Sequence, residues 1–237
     1  MSERLLNILV SSFTKILIPG IKVTIPLTLI SFTLSFVLGL ILALFQVANI
    51  KGLKQFSRVY IWVFRGTPLI VQLFIIFFGL PSIGIILDSF TAAVLGFGLN
   101  LAAYNAEVFR ASILAIPKGQ SEAAYMIGLS NTQTMARVIL PQSFPIAFPS
   151  LFNNLISLLK DTSLAASITV VELFTVTQQI AARTYEPFAL YMEAALVYLI
   201  FSTALSWLQN YLEKKLVWKS KDSISKDAGI NKPIIGV

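Results

Sequence analysis

Apolar positions in this chain come in long unbroken runs separated by short polar islands, with little of the two-residue alternation that marks strands. Runs of about 20 apolar residues with few charges read as membrane-spanning helices. Five can be laid out. The first, residues 16–47, is longer than a bilayer needs and holds Pro19 and Pro26, so a tilted or kinked course is expected. The second, 56–80, is closed by Gly79-Leu80-Pro81. The third, 85–116, is interrupted near its start by Gly96 and Gly98; the fourth starts after Pro141 and reaches at least Lys160; the fifth covers 187–212. Residues 1–15 read as an external segment ahead of a transmembrane domain at 16–217. Residues 218–237 read as a disordered cytoplasmic tail, because KSKDSISKDAGINKP has no apolar period and too little to bury. The expected fold class is an all-α membrane protein with five transmembrane helices.

Between the third and fourth runs lies the polar stretch KGQSEAAYMIGLSNTQTMARVILPQS, residues 118–143. Ser121 heads a run of good helix formers through Ile127. Gly128 is placed to end that helix in a positive-φ conformation, with Leu129 supplying the apolar contact that follows. Ser130 and Gln133 form a capping-box pair that opens a second short helix, running to about Leu140 before Pro141 starts the next span. The pattern predicts a two-helix knuckle. Its apolar residues Tyr125, Met126, Ile127, Leu129 and Met135 have too little mass for a core of their own. They fold back on the membrane surface or they meet a partner.

Charge sets the orientation. Charged residues make up 12% of the chain against 56% hydrophobic ones, at mean hydropathy +0.80; soluble domains carry roughly twice that share of charge. Lys51, Lys54, Arg58 and Arg65 cluster between the first two runs. Arg110, Lys118 and Arg137 flank the knuckle, and Lys214, Lys215, Lys219, Lys221, Lys226 and Lys232 follow the fifth run. All three clusters fall on one side of a five-span chain, which makes that side cytoplasmic and the N-terminus external. Asp88, Glu172, Arg183 and Glu186 fall on the other side, with Lys15 and Lys22 as exceptions. The net charge of +7 then reflects topology and anionic lipid, with no call for nucleic acid. Trp207, Tyr211 and Trp218 are placed for an aromatic belt at the inner interface. The first run is too long for a cleaved signal peptide and lacks a small-residue cleavage site, so it is expected to stay. With no cysteine and no histidine, disulfides, thiol or imidazole catalysis and Cys/His zinc sites are excluded. The chain has neither a G-x-x-x-x-G-K phosphate loop nor a G-x-S-x-G elbow.

Polar residues inside the runs each have two readings, since charge in a bilayer costs about 2.5–3.5 kcal/mol on insertion scales. Asn100, Tyr104 and Glu107 share a helical face, and Arg110 stands three residues beyond Glu107. Glu107 forms an intrahelical pair with Arg110, or it faces a path and answers a substrate ammonium. Asn153, Asn154 and Ser157 line the fourth run, for helix–helix hydrogen bonding or for ligand contact. Lys160-Asp161-Thr162-Ser163 reads as a break and new helix start, either a plain external turn or a gate at a freed helix terminus. In Arg65-Gly66-Thr67-Pro68, Thr67 is expected as N-cap with Pro68 at N1, and Gln72 one turn on as a residue able to reach a path. Ser35, Gly39 and Ala43 form a small-residue stripe suited to close packing against protein.

The knuckle carries a more specific signal. E-A-A, a glycine after it and I-L-P further on resemble the EAA signature of ABC-transporter permease subunits, with Glu122, Ala123, Ala124, Gly128, Ile139, Leu140 and Pro141 at the matching positions. FRGTPLIVQL (64–73), AYNAEVFR (103–110) and ISLLKDTSL (156–164) look like the corresponding segments of permeases for polar amino acids. FGLPSIGIILD (78–88), SLAASITVVELF (163–174) and the residues around Arg183 resemble the L-cystine permeases most. The resemblance covers nearly the whole chain to about residue 215. It implies a type I importer permease in a bacterial inner membrane, and no enzyme activity on this chain. The knuckle, residues 117–141, would be the coupling loop docking on a cytoplasmic ATPase subunit, which binds the ATP and Mg. An external or periplasmic binding protein would deliver the amino acid to two permease subunits, most simply a homodimer. Gln72, Asn100, Tyr104, Glu107, Asn153, Asn154, Ser157, Lys160, Asp161 and Ser163 are the expected substrate path. The competing reading is an ion-coupled secondary transporter working alone, with Asp161, Glu107 and Glu172 available for an ion site.

Overall fold

In a computed structural model, residues 3–48 and 50–227 are described, with side chains described to residue 216. The described residues are almost wholly helical: α1 (Glu3–Pro19), α2 (Ile25–Val47), α3 (Lys51–Gly66), α4 (Leu69–Phe74), α5 (Ser89–Leu114), α6 (Lys118–Met126), α7 (Asn131–Thr134), α8 (Leu140–Asp161), α9 (Leu173–Thr184) and α10 (Pro187–Asp227). Three helical stretches are long and apolar enough to cross a membrane, or up to five if each of two bent helix pairs counts as one span.

The first run is longer than expected. Instead of starting at residue 16, a 45-residue helix runs from Glu3 to Val47. Pro19 does not break it, because the π-helical turn Gly20–Thr24 takes up the missing N–H, and the Ile25 N–H donates to the Gly20 carbonyl. Polar Asn7, Ser11, Thr14 and Lys15 lower the hydropathy of α1, yet its other face is apolar at helical spacing. Ile8, Leu9, Phe13, Ile16 and Leu17 pack there on Leu173, Leu190, Ala194 and Val197 of α9 and α10.

The second run is bent where a single span was expected. α3 and the segment Leu69–Ile83 meet at 104°. Pro68 has no N–H to continue a helix and pushes Thr67 into an extended conformation, φ −120° and ψ 145°. Thr67 is therefore not the N-cap; Pro68 holds that position, without a side-chain cap.

α5 starts at Ser89, capped by the Asp88 carboxylate, which accepts from the Thr91 N–H at 3.0 Å. Gly96 and Gly98 do not interrupt it. They admit Leu73 and Leu34, whose methyl carbons would lie 2.5 Å from an added Cβ. On α2, Gly39 lies so close to α5 that a Cβ would meet Asn105 Cβ at 2.7 Å. Ser35, Gly39 and Ala43 are all buried along this contact, as the small-residue stripe predicts.

The fourth run also differs. α7, the π-helical turn Met135–Ile139, α8 and the 3-10 turn Thr162–Ile168 form one continuous rod, Asn131–Ile168. Pro141 falls in the first turn of α8 and does not separate knuckle from span. Asp161 and Ser163 are not caps; the Ser163 hydroxyl bonds the Lys160 carbonyl at 2.8 Å and the backbone stays helical. The break comes instead at Thr169, φ +65°, after which α9 leaves at 56°. α10 is assigned through Asp227, into the stretch read as tail, while residues 228–237 lie outside the described residues. Trp207 and Tyr211 are exposed, as a belt at an interface requires.

Candidate functional site: the knuckle and the polar positions of the spans

The knuckle forms as two helices joined by a tight turn. α6 begins at Lys118 after Pro117, so Ser121 lies inside it rather than at its head. At its end Gly128 adopts φ +84°, the Gly128 N–H bonds the Tyr125 carbonyl at 2.9 Å, and the Leu129 N–H bonds the Ala124 carbonyl at 3.1 Å. This is the paired-bond closure that a glycine in the left-handed region allows. Two residues on, the Ser130 N–H donates to Gln133 Oε1 at 2.9 Å while the Gln133 N–H donates to Ser130 Oγ at 3.4 Å, completing the capping box. The base is tied by Gln142 Nε2 donating to Gln120 Oε1 at 3.2 Å.

The outward face is apolar. Met126 and Ile127 are 88% and 78% exposed, and Tyr125 about half. Glu122, Ala123 and Pro141 are exposed beside them and Leu140 is half-buried, whereas Ala124 is buried. The two alanines thus differ: Ala123 leaves the outer surface low, and Ala124 lets α6 pack on the turn Met135–Ile139. A groove of about 880 Å³ separates the knuckle from the ends of α2 and α5, lined by Leu44, Val47, Ile113, Tyr125 and Met135 among others.

Among the span residues, Gln72 and Asn100 come together at the α3–α4 bend. Asn100 Nδ2 donates to Gln72 Oε1 at 3.0 Å and to the Phe64 carbonyl at 3.2 Å. Gln72 Nε2 donates to Thr67 Oγ1 at 2.7 Å and to the carbonyls of Phe64 and Thr67 at 3.0 and 3.2 Å. Both amides are buried and satisfy backbone freed by Pro68.

The Asn100–Tyr104–Glu107 face divides its work. Arg65 Cζ lies 5.2 Å from the centre of the exposed Tyr104 ring, a cation–π distance. Glu107 takes the expected pair: Arg110 Nη2 and Nε donate to its Oε2 at 2.8 and 3.1 Å, and Gln46 Nε2 donates to Oε1 at 3.2 Å. Asn154 Nδ2 donates to Asn105 Oδ1 at 2.9 Å, and Asn105 Nδ2 donates to Ser35 Oγ at 3.0 Å, linking α8, α5 and α2. Asn153 accepts from Gln209 of α10 at 3.2 Å.

Along α8, Ser150, Asn153, Ser157, Lys160 and Asp161 are all exposed, at intervals that keep them on one side of the helix. An apolar rod with an amide, hydroxyl, ammonium and carboxylate row facing hydrocarbon would be prohibitive, so this row faces protein or water. Near its end Lys160 and Ser163 enter a cleft of about 450 Å³ with Tyr198 and the stacked rings of Phe174 and Tyr191, whose centres are 5.8 Å apart.

Sequence reasoning missed Asn105, Gln46 and the environment of Glu172. Asn105 is an amide in an alanine-rich run five residues after Asn100, a signal of the same kind. Glu172 is not a surface acid of an external loop. It is fully buried, and its Oε1 accepts the Thr175 N–H at 2.7 Å and the Thr175 hydroxyl at 3.3 Å. Its Oε2 accepts the hydroxyls of Tyr198 at 3.1 Å and Thr24 at 3.3 Å. No local sequence feature joins Thr24 to Glu172. Among the described residues, no group of three or more acidic side chains is placed to hold a metal ion.

Comparison with known proteins gives one answer. Residues 35–218 match the family model described as binding-protein-dependent transport system inner membrane component. The L-cystine transport system permease protein TcyB of Bacillus subtilis (strain 168) is 48% identical over 206 residues, spanning 86% of this chain and 88% of that protein. The arginine transport system permease protein ArtQ of the same organism is 35% identical, over 87% of this chain and 94% of that one. Among solved structures, an amino acid ABC transporter described as with histidines superposes at TM-score 0.82 and 34% identity, over 91% of this chain and all of that chain. The MetNI methionine transporter in an inward-facing form shares the fold at TM-score 0.74 and 21% identity, over 91% of this chain and 99% of that one. The chain therefore belongs to the binding-protein-dependent transport system inner membrane components, as an amino-acid ABC permease and multi-pass inner membrane protein with the type I importer fold.

Proposed function

We propose that this permease imports L-cystine, and that its knuckle is the surface on which a cytoplasmic ATPase subunit docks. The carrying observation is the knuckle itself: a rigidly capped pair of short helices whose largest apolar side chains, Met126 and Ile127, point into solvent. Order of that kind with nothing beneath it to cover is what a docking element needs. The absence of any phosphate-binding loop on this chain is consistent with ATP and Mg binding to the partner. The N-terminus is external and the tail cytoplasmic on charge bias, which puts the knuckle on the ATPase side.

The exposed polar row of α8 supports a second copy of the chain. Two such rows brought face to face would enclose a wet path, and one chain alone leaves it open to lipid. Lys160 and Asp161 from each of two copies supply two cations and two anions, the number needed for the two carboxylate and two ammonium groups of cystine delivered by an external binding protein. The identity to the Bacillus subtilis L-cystine permease favours cystine over arginine or glutamine. The test has two stages. Solubilised wild type should retain the candidate ATPase on co-purification, and Gly128→Asp should lose it while staying monodisperse. Proteoliposomes holding both subunits and the binding protein should then take up labelled cystine with ATP inside, undiminished by excess arginine. Failure to retain any ATPase removes the docking reading; uptake blocked by arginine or glutamine removes cystine.

A further inference from the structure

We propose that α3 carries a binding site for the headgroup of an anionic phospholipid, formed by Lys51, Lys54 and Arg58. The helix KGLKQFSRVYIWVFRG has four cations and no acid. At 3.6 residues per turn its side chains sort into three rows. Ser57 and Ile61 form the buried row. It is fixed to the bundle by the Ser57 hydroxyl donating to the Leu42 carbonyl at 2.9 Å and the Tyr60 hydroxyl donating to the Leu99 carbonyl at 2.8 Å. Phe56, Val59 and Val63 form an exposed apolar row, at 59%, 47% and 42% exposure. Lys51, Lys54 and Arg58 form the third, which Arg65 continues toward Tyr104.

Among the described residues the one ion pair is Glu107–Arg110, so no acid is paired with Lys51, Lys54 or Arg58. Three like charges within two turns repel weakly, and a bound anion relieves that repulsion. Location decides what that is. α2 is an apolar span ending at Val47, and α3 begins at Lys51, so the row stands where hydrocarbon gives way to water on whichever side α2 emerges. A basic row with the exposed Trp62 beside it, one turn beyond Arg58, fits a phospholipid, with the phosphate on the cations and an acyl chain along the indole. The site has a mechanical neighbour. α3 leads into the 104° bend, where its Phe64 carbonyl accepts from Gln72 and Asn100.

The experiment is native mass spectrometry of the full chain released from detergent with phosphatidylglycerol and phosphatidylcholine of matched acyl chains. Wild type should retain phosphatidylglycerol at least tenfold over phosphatidylcholine. Each cation removed should lower that preference about fivefold, the factor equivalent to ~1 kcal/mol per basic residue at an anionic surface. Lys51→Gln, Lys54→Gln and Arg58→Gln combined should abolish it, whereas Lys214→Gln with Lys215→Gln should leave it intact. Lys51→Arg with Lys54→Arg keeps the charge and should keep the preference, which separates a lost site from a misfolded helix. Equal retention of both lipids by wild type, or undiminished preference in the triple variant, overturns the proposal. So does a triple variant that keeps phosphatidylglycerol but no longer co-purifies with the ATPase, since the row would then face protein.

Discussion

At Gly128, conformation matters more than space. A Cβ added there meets nothing within 4 Å, but φ is +84°, where a side-chain-bearing residue is strained by roughly 1–2 kcal/mol. Asparagine tolerates that region better than other residues, and valine least well. Gly128→Asn should hold the turn, and Gly128→Val should loosen it, read as faster exchange of the amides at positions 128 and 129 without a change in the spans. Glu172 poses the opposite problem, because its carboxylate is surrounded by donors. Glu172→Gln keeps an oxygen acceptor for part of the cluster. Glu172→Leu strands the Tyr198 and Thr24 hydroxyls, each buried donor left unmet costing about 1–3 kcal/mol. The leucine variant should lower the unfolding temperature in detergent well below that of the glutamine variant.

Between elements, the α2–α5 contact and the α3–α4 bend are the two places where a small change acts on a whole helix. Gly39 lies against α5 backbone and Asn105 Cβ, which cannot swing away, whereas the nearest atom to Gly96 is the end of Leu73. Gly39→Ala should therefore destabilise by about 1–3 kcal/mol and Gly96→Ala by less, compared by thermal unfolding. Gln72→Leu would leave the Thr67 carbonyl without its side-chain donor and Asn100 without its amide acceptor, while Asn100 still serves the Phe64 carbonyl, and should cost about 1–3 kcal/mol in the same assay. These elements also show what could be read in advance. Apolar runs and the Gly128 and Ser130 signals were legible because they are local. The continuity through Pro19 and Pro141 was not. Each proline sits beside a π-helical turn, and a turn of one extra residue leaves no mark in hydropathy. Asp161 and Ser163 looked like caps because both are good cap residues, but here Ser163 bonds back to the Lys160 carbonyl within a continuing helix.

Across the whole molecule, the split between legible and hidden falls along sequence distance. The Glu107–Arg110 pair lies within one turn and could be read directly. Thr24 and Glu172, Gln46 and Glu107, and Asn154 and Asn105 meet only through the packing of separate helices, which no pattern in one chain announces. The rod Asn131–Ile168 adds a consequence of its own. It spans about 57 Å at 1.5 Å per residue, with the knuckle at one end and the Lys160–Ser163 cleft near the other. On the docking reading proposed above, such a rod would carry a thrust on α7 toward Lys160, with Pro145 and Pro149 as the points of α8 where a main-chain bond is missing. The turn Met135–Ile139 fits its surplus residue into nearly the rotation and rise of one fewer α-helical residue, so removing that residue would restore an ordinary helix with the two ends in the same phase. Deleting Ala136 should leave the knuckle facing the same way, whereas deleting Ile146 from the regular turns of α8 should swing it by about 100°, timing lost with every part still present.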